Sequence, residues 1–262
     1  RRGHRERALA LLDQLESEHA VPQDLVSMVR AECHIEANEW PLAARSLDAL
    51  SPAATATPRA QKLRSELAYA RGDWLTVIEL LPALRAAYLL SEGVLTVWEK
   101  AAWAGAMTQD DLSASALWSL WKRAPETQKS LGSGLWSTLI DRLRLQSEWG
   151  ALTKALQGRF DQYCEPASLA AIAVLPRDHA KKLKKPMKRW VSEDPQSGGY
   201  AALAMIAQHD NDPGESEAMW RKACECEPSV EAVQRWAKWC REQGNQDQAA
   251  VLEADAIALL QQ

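Results

Sequence analysis

Apolar residues recur every three or four positions along almost the whole chain, as on one face of an α-helix. Leu9, Leu12 and Leu15 show this spacing in the first stretch. No segment of useful length alternates apolar and polar residues, so the pattern predicts no sheet. We therefore predict an all-α protein of about fifteen helices. From residue 23 they form helix–turn–helix units in which a first and a second helix alternate, and one further second helix precedes residue 23.

Short polar segments interrupt the helical pattern at residues 38–40, 72–74 and 147–149, and each ends in tryptophan. In the second segment, Gly72 favours the end of one helix and Asp73 favours the start of the next. Trp40 and Trp74 are 34 residues apart, and Trp149 follows Trp74 by 75 residues, close to two such periods. A period of 34 with helix, turn and helix is typical of tetratricopeptide arrays.

The last two predicted units fit the tetratricopeptide pattern best, with Pro228 as a repeat-closing proline and Gly244 at a turn. Their large and small packing positions fall on Leu203, Ala204, Trp220, Ala223, Trp236, Ala237, Ala249 and Ala256. We therefore predict a single domain over residues 1–262, a right-handed α-solenoid in which each unit buries its apolar face against its neighbours. The exact repeat register between residues 90 and 195 stays open, and Pro82 and Pro186 fall awkwardly inside predicted helices.

Several segments resemble the soluble repeat domain of HemY-type proteins. They are ARGDWLTVIELLPALRAAYLLSE (70–92), VWEKAAWAGAM (97–107), RWVSEDPQSGGYAALAMIAQ (189–208) and AMWRKACECEPSVEAVQRWAKWCREQG (218–244). The resemblance implies a bacterial inner-membrane protein with two N-terminal anchor helices and repeats on the cytoplasmic side. It also implies an association with heme biosynthesis without an assigned catalytic step. On this basis we expect the chain to be a fragment, truncated at its N-terminus, of a longer protein.

Charge and cysteine content narrow the function classes. Thirty-one basic residues nearly balance 35 acidic ones, and the net charge of -4 argues against a nucleic-acid partner. Five cysteines in no regular framework indicate reduced thiols in a cytoplasmic compartment. Apolar runs are shorter than the roughly 20 residues that a membrane span needs, which predicts that this stretch is soluble.

The sequence offers no recognisable catalytic constellation, so we expect a non-catalytic interaction scaffold without a cofactor. The alternative is a tetrapyrrole or heme carrier, suggested by a tryptophan-rich segment that holds Trp98, Trp103, Trp118, Trp121 and Trp136. These rings either stack on a flat ligand or fill large positions in helix packing. No histidine lies in that segment to act as an axial ligand. Cys224 and Cys226 are two residues apart, so on a helix their side chains point in nearly opposite directions and cannot bind one metal ion together.

Two surfaces are predicted to meet a partner. Groove positions on first helices fall on two sets: Arg59, Lys62, Glu66 and Tyr69, then Glu231, Gln234, Lys238 and Arg241. We expect these residues to bind other proteins or peptide segments, including heme-biosynthesis enzymes. Their cations favour acidic side chains or a C-terminal carboxylate. The alternative is that these charges only face water.

The second surface is a basic segment, residues 177–190, with seven basic side chains against one acidic side chain. Its lysines are Lys181, Lys182, Lys184, Lys185 and Lys188. They suit contact with anionic lipid headgroups or an acidic partner. The interpretation that the sequence favours is a solvated face of a second helix, because charge runs of this size are common there.

Overall fold

A computed structural model of the chain describes residues 2–129, 134–159, 166–226 and 230–260. These residues form seventeen helices and no strand, which confirms the predicted all-α class. The contacts divide the chain into two compact units, Arg1–Asp110 and Asp111–Gln262. The prediction of a single solenoid domain stays a prediction.

The helices of unit 1 pack in neighbouring pairs, with α2 against α3, α5 against α6 and α6 against α7. Their bounds are α1 Arg2–Ser17, α2 Gln23–Glu36, α3 Trp40–Asp48, α4 Pro52–Thr55, α5 Pro58–Arg71, α6 Trp74–Ala86 and α7 Glu92–Thr108. The first helix α2 also contacts α5, as first helices of successive repeats do. A buried cluster between α2, α3, α4 and α5 includes Leu47, Leu63 and Leu67.

Unit 2 continues the same pairing, with α13 against α14, α14 against α15 and α16 against α17. Its helices are α8 Ala114–Arg123, α9 Glu126–Lys129, α10 Leu135–Leu145, α11 Trp149–Gly158, α12 Pro166–Val174, α13 Arg177–Glu193, α14 Ser197–His209, α15 Pro213–Cys226, α16 Val230–Glu242 and α17 Gln246–Leu260. Helix α14 is buried from residue 201 to residue 207, which leaves no exposed side over nearly two turns.

The predicted interruptions are left-handed turns. Asn38, Gly72 and Ser147 have φ values of 59°, 72° and 56°, and a tryptophan begins the next helix two residues later in each case. Asn211 and Gly244, with φ values of 56° and 82°, occupy the same place before α15 and α17. The same backbone solution therefore recurs between paired helices in both units.

Trp74 explains why the second turn carries an aromatic residue. Its indole lies against Gly105 of α7, where an added Cβ would come within 2.2 Å of the Trp74 Nε1 atom. Only glycine lets the ring approach the α7 backbone so closely. The turn therefore ends α5, starts α6 and seats α6 on the next helix.

Proline does not end the helices at Pro82 and Pro186. Both residues lie inside their helices, α6 and α13. Each leaves the carbonyl four residues earlier without its helical donor. Buried Val77, Ile78 and Leu84 hold α6 in place on either side of Pro82.

The closing repeats bury the predicted packing positions. Trp220 and Trp236 are 1% and 7% exposed, and the small residues Ala223, Ala237 and Ala249 are buried as well. The predicted turn at Gly244 is confirmed by its positive φ. Pro228, the predicted repeat-closing residue, lies outside the described residues.

Candidate functional site

The four predicted groove residues of unit 1 lie on one side of α5. Arg59 is exposed, while Lys62, Glu66 and Tyr69 are partly buried. At a rise of about 1.5 Å per residue, they span about 15 Å along the helix. We call this strip the α5 face, and it runs from charged residues at the start of the helix to an aromatic residue near its end.

The charges of the α5 face are matched within the protein. Arg59 makes a two-pronged contact with Glu32 of α2, through Nε at 2.8 Å and Nη2 at 2.7 Å. This hydrogen bonding raises the pKa of Arg59 above its ordinary value. Lys62 lies 3.4 Å from Glu66 one turn later. An acidic partner would therefore have to compete with Glu32 and Glu66 for these cations.

The aromatic end of the α5 face joins three helices. The Tyr69 ring stacks on Trp98 of α7, with ring centroids 4.8 Å apart and an angle of 16° between the planes. It also meets Trp74 of α6 edge-on, at 5.5 Å between centroids. Tyr69 and Trp98 are partly exposed, and the Tyr69 hydroxyl has no hydrogen-bond partner among the described residues. The pair therefore offers accessible ring surface and an available hydroxyl.

Apolar side chains extend this surface along α7. Val94 lies one turn before Trp98 and is 39% exposed, and Val97 is 61% exposed. Exposed valines beside an accessible aromatic pair form an apolar patch next to matched charges. Such a mixture of a small apolar centre and a polar surround is typical of protein–protein contacts.

Unlike the residues of the α5 face, the predicted groove residues of unit 2 have no accessible face of the neighbouring first helix beside them over residues 201–207. Gln234, Lys238 and Arg241 are exposed on α16. Lys238 lies 3.9 Å from Glu242, and Arg241 pairs with Glu253 of α17. The neighbouring first helix α14 is buried over residues 201–207, so the α16 residues have no exposed stripe beside them there. Glu231, the fourth predicted position, pairs with Arg235 on its own helix.

The tryptophan-rich segment serves packing at most of its positions. Trp103, Trp121 and Trp136 are at most 4% exposed, and the Trp136 indole donates to the Ser168 hydroxyl at 2.8 Å. Trp98 belongs to the aromatic pair. The ring of Trp118 lies 5.6 Å from the ammonium group of Lys122.

Histidines within the described side chains bond to protein groups. His34 binds Glu39 at 2.8 Å, His179 binds Thr153 at 3.1 Å, and His209 binds the Ile172 carbonyl at 2.8 Å. Over the described ranges, no group of three or more His, Cys, Asp or Glu side chains is placed to hold a metal ion. Cys33, Cys224, Cys226 and Cys240 are free thiols, and Cys164 lies outside the described residues.

Cavities in unit 1 lie away from the α5 face. One of about 250 Å³ is lined by Arg64 and Arg71 on the other side of α5, together with Asp48 and Asp73. Another, of about 640 Å³, is lined at the α6–α7 turn by residues that include Tyr88 but no His, Cys or Met. Neither of these two cavities contains a His, Cys or Met side chain, the ligands that a heme iron most often uses. A third cavity of about 320 Å³ is lined by residues that include His34.

The basic helix α13 has two kinds of lysine. Lys184 contacts Asp210 at 3.0 Å and Glu215 at 2.7 Å, and Lys188 also pairs with Glu215. Lys181, Lys182 and Lys185 are exposed, with no ion pair in the described part of the chain. No helix within the described ranges is both long enough and apolar enough to cross a bilayer.

Glu32 and Val94 of the candidate site were not predicted, and Trp98 was predicted only as a member of the tryptophan-rich segment. Glu32 precedes Glu66 by 34 residues, so counting back one repeat period would have found it. The placement of Trp98 beside Tyr69 has no comparable signal, because no left-handed turn follows α7 to fix its register. The stacking partner of Tyr69 emerges only when the two helices pack.

Comparison with known proteins adds no assignment. No family model matches the sequence, and no match to a protein of characterised function reaches significance.

Proposed function

We propose that the chain is a non-catalytic scaffold whose α5 face, with Glu32, Val94 and Trp98, binds a segment of another protein. One observation carries the proposal. Three neighbouring helices place a stacked aromatic pair, exposed valines and matched charges on one accessible surface. Accessible Tyr and Trp side chains are over-represented among residues that dominate binding energy.

The paired charges and the aromatic pair indicate how the partner segment would bind. Because Glu32 and Glu66 already neutralise Arg59 and Lys62, the charges supply orientation more than attraction. The aromatic pair and Val94 would hold an apolar side chain of the partner. We therefore propose a segment with an apolar anchor and flanking polar residues as the ligand, in place of a purely acidic peptide.

The association with heme biosynthesis rests on resemblance to HemY-type repeat domains over residues 70–92, 97–107, 189–208 and 218–244. It makes enzymes of that pathway the first partners to test. The same resemblance supports the cytoplasmic face of the bacterial inner membrane as the location of the protein.

The test is capture of partners by the immobilised chain, followed by measurement with the purified partner segment. Tyr69→Ala and Trp98→Ala should each weaken the measured affinity about 30-fold, as truncation of a central aromatic contact costs about 2 kcal/mol. Circular dichroism establishes that each variant is folded.

Trp118→Ala is the matched control, because it truncates a partly buried tryptophan on α8 in unit 2. It should leave the affinity unchanged within a factor of two. Equal affinities for the wild type and both α5-face variants would show that the partner binds elsewhere.

The tetrapyrrole carrier is supported only by the cavity of about 320 Å³ that His34, Arg30 and Arg45 line, and His34 there is already bound to Glu39. His34, His179 and His209 bond to protein groups, and the buried tryptophans fill helix contacts. Heme titration monitored at the Soret band tests this alternative, and a saturable one-to-one band would reinstate it.

A further inference from the structure

We propose that the exposed side of α13, formed by Lys181, Lys182 and Lys185, docks against the anionic headgroups of a lipid bilayer. We call these three residues the α13 lysine face. The proposal concerns a different helix from the α5 face and is independent of what the α5 face binds.

The helix is oriented by its buried side. Ala180, Leu183, Met187 and Val191 are at most 3% exposed and lie on the opposite side of α13 from the lysine face. The three lysines are therefore directed to solvent by the same packing that holds the helix in the fold.

Ion pairs at the edge of the lysine face fix its position. Lys184 and Lys188 bind Glu215 of α15, and Lys184 also binds Asp210, which follows α14. These two carboxylates neutralise the charges of Lys184 and Lys188. Lys182 and Lys185 have no ion pair with a described residue. Lys181 has none either, although its charge helps to lower the pKa of Asp210 from a longer distance.

A neighbouring helix widens the basic surface. The Gln157 amide of α11 donates to the Lys182 carbonyl at 3.1 Å, which holds α11 beside the middle of α13. Lys154, one turn before Gln157, is exposed and has no ion pair with a described residue. Asp178 is the one acidic side chain among residues 177–190; it is exposed one turn before Lys181 and Lys182 on the same side of α13, so it offsets part of their charge. Glu193 pairs with Arg189.

The side-chain chemistry favours a lipid surface over a folded protein partner. Helix α13 exposes no large apolar side chain, whereas protein interfaces have an apolar centre. Lysine is a compact, hydrated charge that suits a diffuse anionic surface, while two-pronged recognition of a phosphate or carboxylate uses arginine. The net charge of -4 makes the face a local exception on an acidic chain.

The experiment is sedimentation of the purified chain with large vesicles at low ionic strength. Vesicles of phosphatidylcholine alone should not retain the protein. Vesicles with about one-third phosphatidylserine should retain it. Added salt should release it, because at about 0.1 M salt the attraction to the anionic surface already falls off over about 10 Å. The triple variant Lys181→Gln, Lys182→Gln, Lys185→Gln should lower the partition coefficient about 100-fold, roughly fivefold for each lysine.

A triple variant of unit 1, Arg45→Gln, Arg71→Gln, Lys100→Gln, is the matched control. It removes the same net charge from three exposed side chains that have no ion pair with a described residue. It should change the partition coefficient by no more than about threefold, since none of these three side chains belongs to the α13 lysine face to which the proposal assigns lipid contact.

Equal losses in the two triple variants would overturn the proposal, because net charge alone would then explain binding. Failure of the wild-type chain to bind the acidic vesicles would also overturn it. If the wild-type chain fails to bind the vesicles but binds immobilised polyglutamate through Lys181, Lys182 and Lys185, the α13 lysine face binds an acidic protein and not a lipid surface.

Discussion

Gly72 occupies a backbone conformation that the chain also assigns to Asn38 and Asn211. All three have φ between 56° and 72° and stand two residues before a helix. Left-handed backbone costs glycine nothing, costs asparagine little, and strains a β-branched side chain. The backbone thus favours glycine or asparagine at these three turns, although Ser147 adopts the same conformation before α11.

We expect Gly72→Val to lower the free energy of unfolding by about 1 to 2 kcal/mol, measured by urea denaturation. Gly72→Asn is the control and should cost clearly less, because asparagine already serves at position 38. Equal midpoints for the valine variant and the wild type would contradict the assignment of this turn.

Gly105 is required for a different reason, the approach of the Trp74 ring. Gly105→Ala would place a Cβ 2.2 Å from the indole nitrogen, so the ring or the helix must move. We expect a loss of about 1 to 3 kcal/mol in unfolding free energy, together with a shift in tryptophan fluorescence. Gly93→Ala on the same helix meets no atom within 4 Å and should be neutral or stabilising.

At the scale of elements, ion pairs hold α13 to its neighbours. Lys184 is the hub, because it binds both Asp210 and Glu215 with all three side chains less than one-third exposed. Hydrogen bonding to Lys184 is the main cause that lowers the pKa of Asp210 and the pKa of Glu215. We expect Lys184→Met to cost about 2 kcal/mol at neutral pH, while Lys181→Met should change stability by less than about 0.5 kcal/mol.

The pH dependence follows from the same contacts. A carboxylate whose pKa is lowered by folding stabilises the protein above its unfolded pKa of about 4, and this stability is lost as the pH falls through the folded pKa. Acidification below about pH 4 should therefore destabilise the wild type. The Lys184→Met variant should lose less stability over that range, because its two carboxylates titrate closer to their ordinary values. Thermal melts between pH 2 and pH 7 would measure the difference, and parallel curves would contradict it.

The sequence predicts well those helix ends that are determined by the residues at the turn itself. The stops at Asn38, Gly72 and Ser147 depend on residues within a few positions, and all three turns are confirmed. The helices that continue through Pro82 and Pro186 are not predicted locally, because packing outweighs one lost hydrogen bond. Long-range pairs such as Tyr69 with Trp98 and Lys184 with Glu215 depend on how helices pack, so spacing alone cannot identify them.

At the scale of the whole molecule, the division into two compact units has an experimental consequence. Repeat arrays derive their stability from contacts between neighbouring units, so a cut between compact units leaves most of those contacts in place. We expect fragments 1–110 and 111–262 each to show a helical spectrum and a cooperative melt. A fragment that remains unfolded would support the single-domain prediction instead.

Helix α14 is enclosed over residues 201–207, and this enclosure determines how fast its backbone amides exchange hydrogen with solvent. Its amide hydrogens meet solvent only when surrounding helices separate, so they should exchange with heavy water as slowly as unit 2 unfolds. Helices with an exposed side, such as α17, should exchange earlier through local opening. Mass spectrometry of the deuterated peptides would rank the two helices. Any partner that binds folded unit 2, even on its surface, should therefore slow exchange in α14, because it makes the unfolding that α14 exchange requires less favourable.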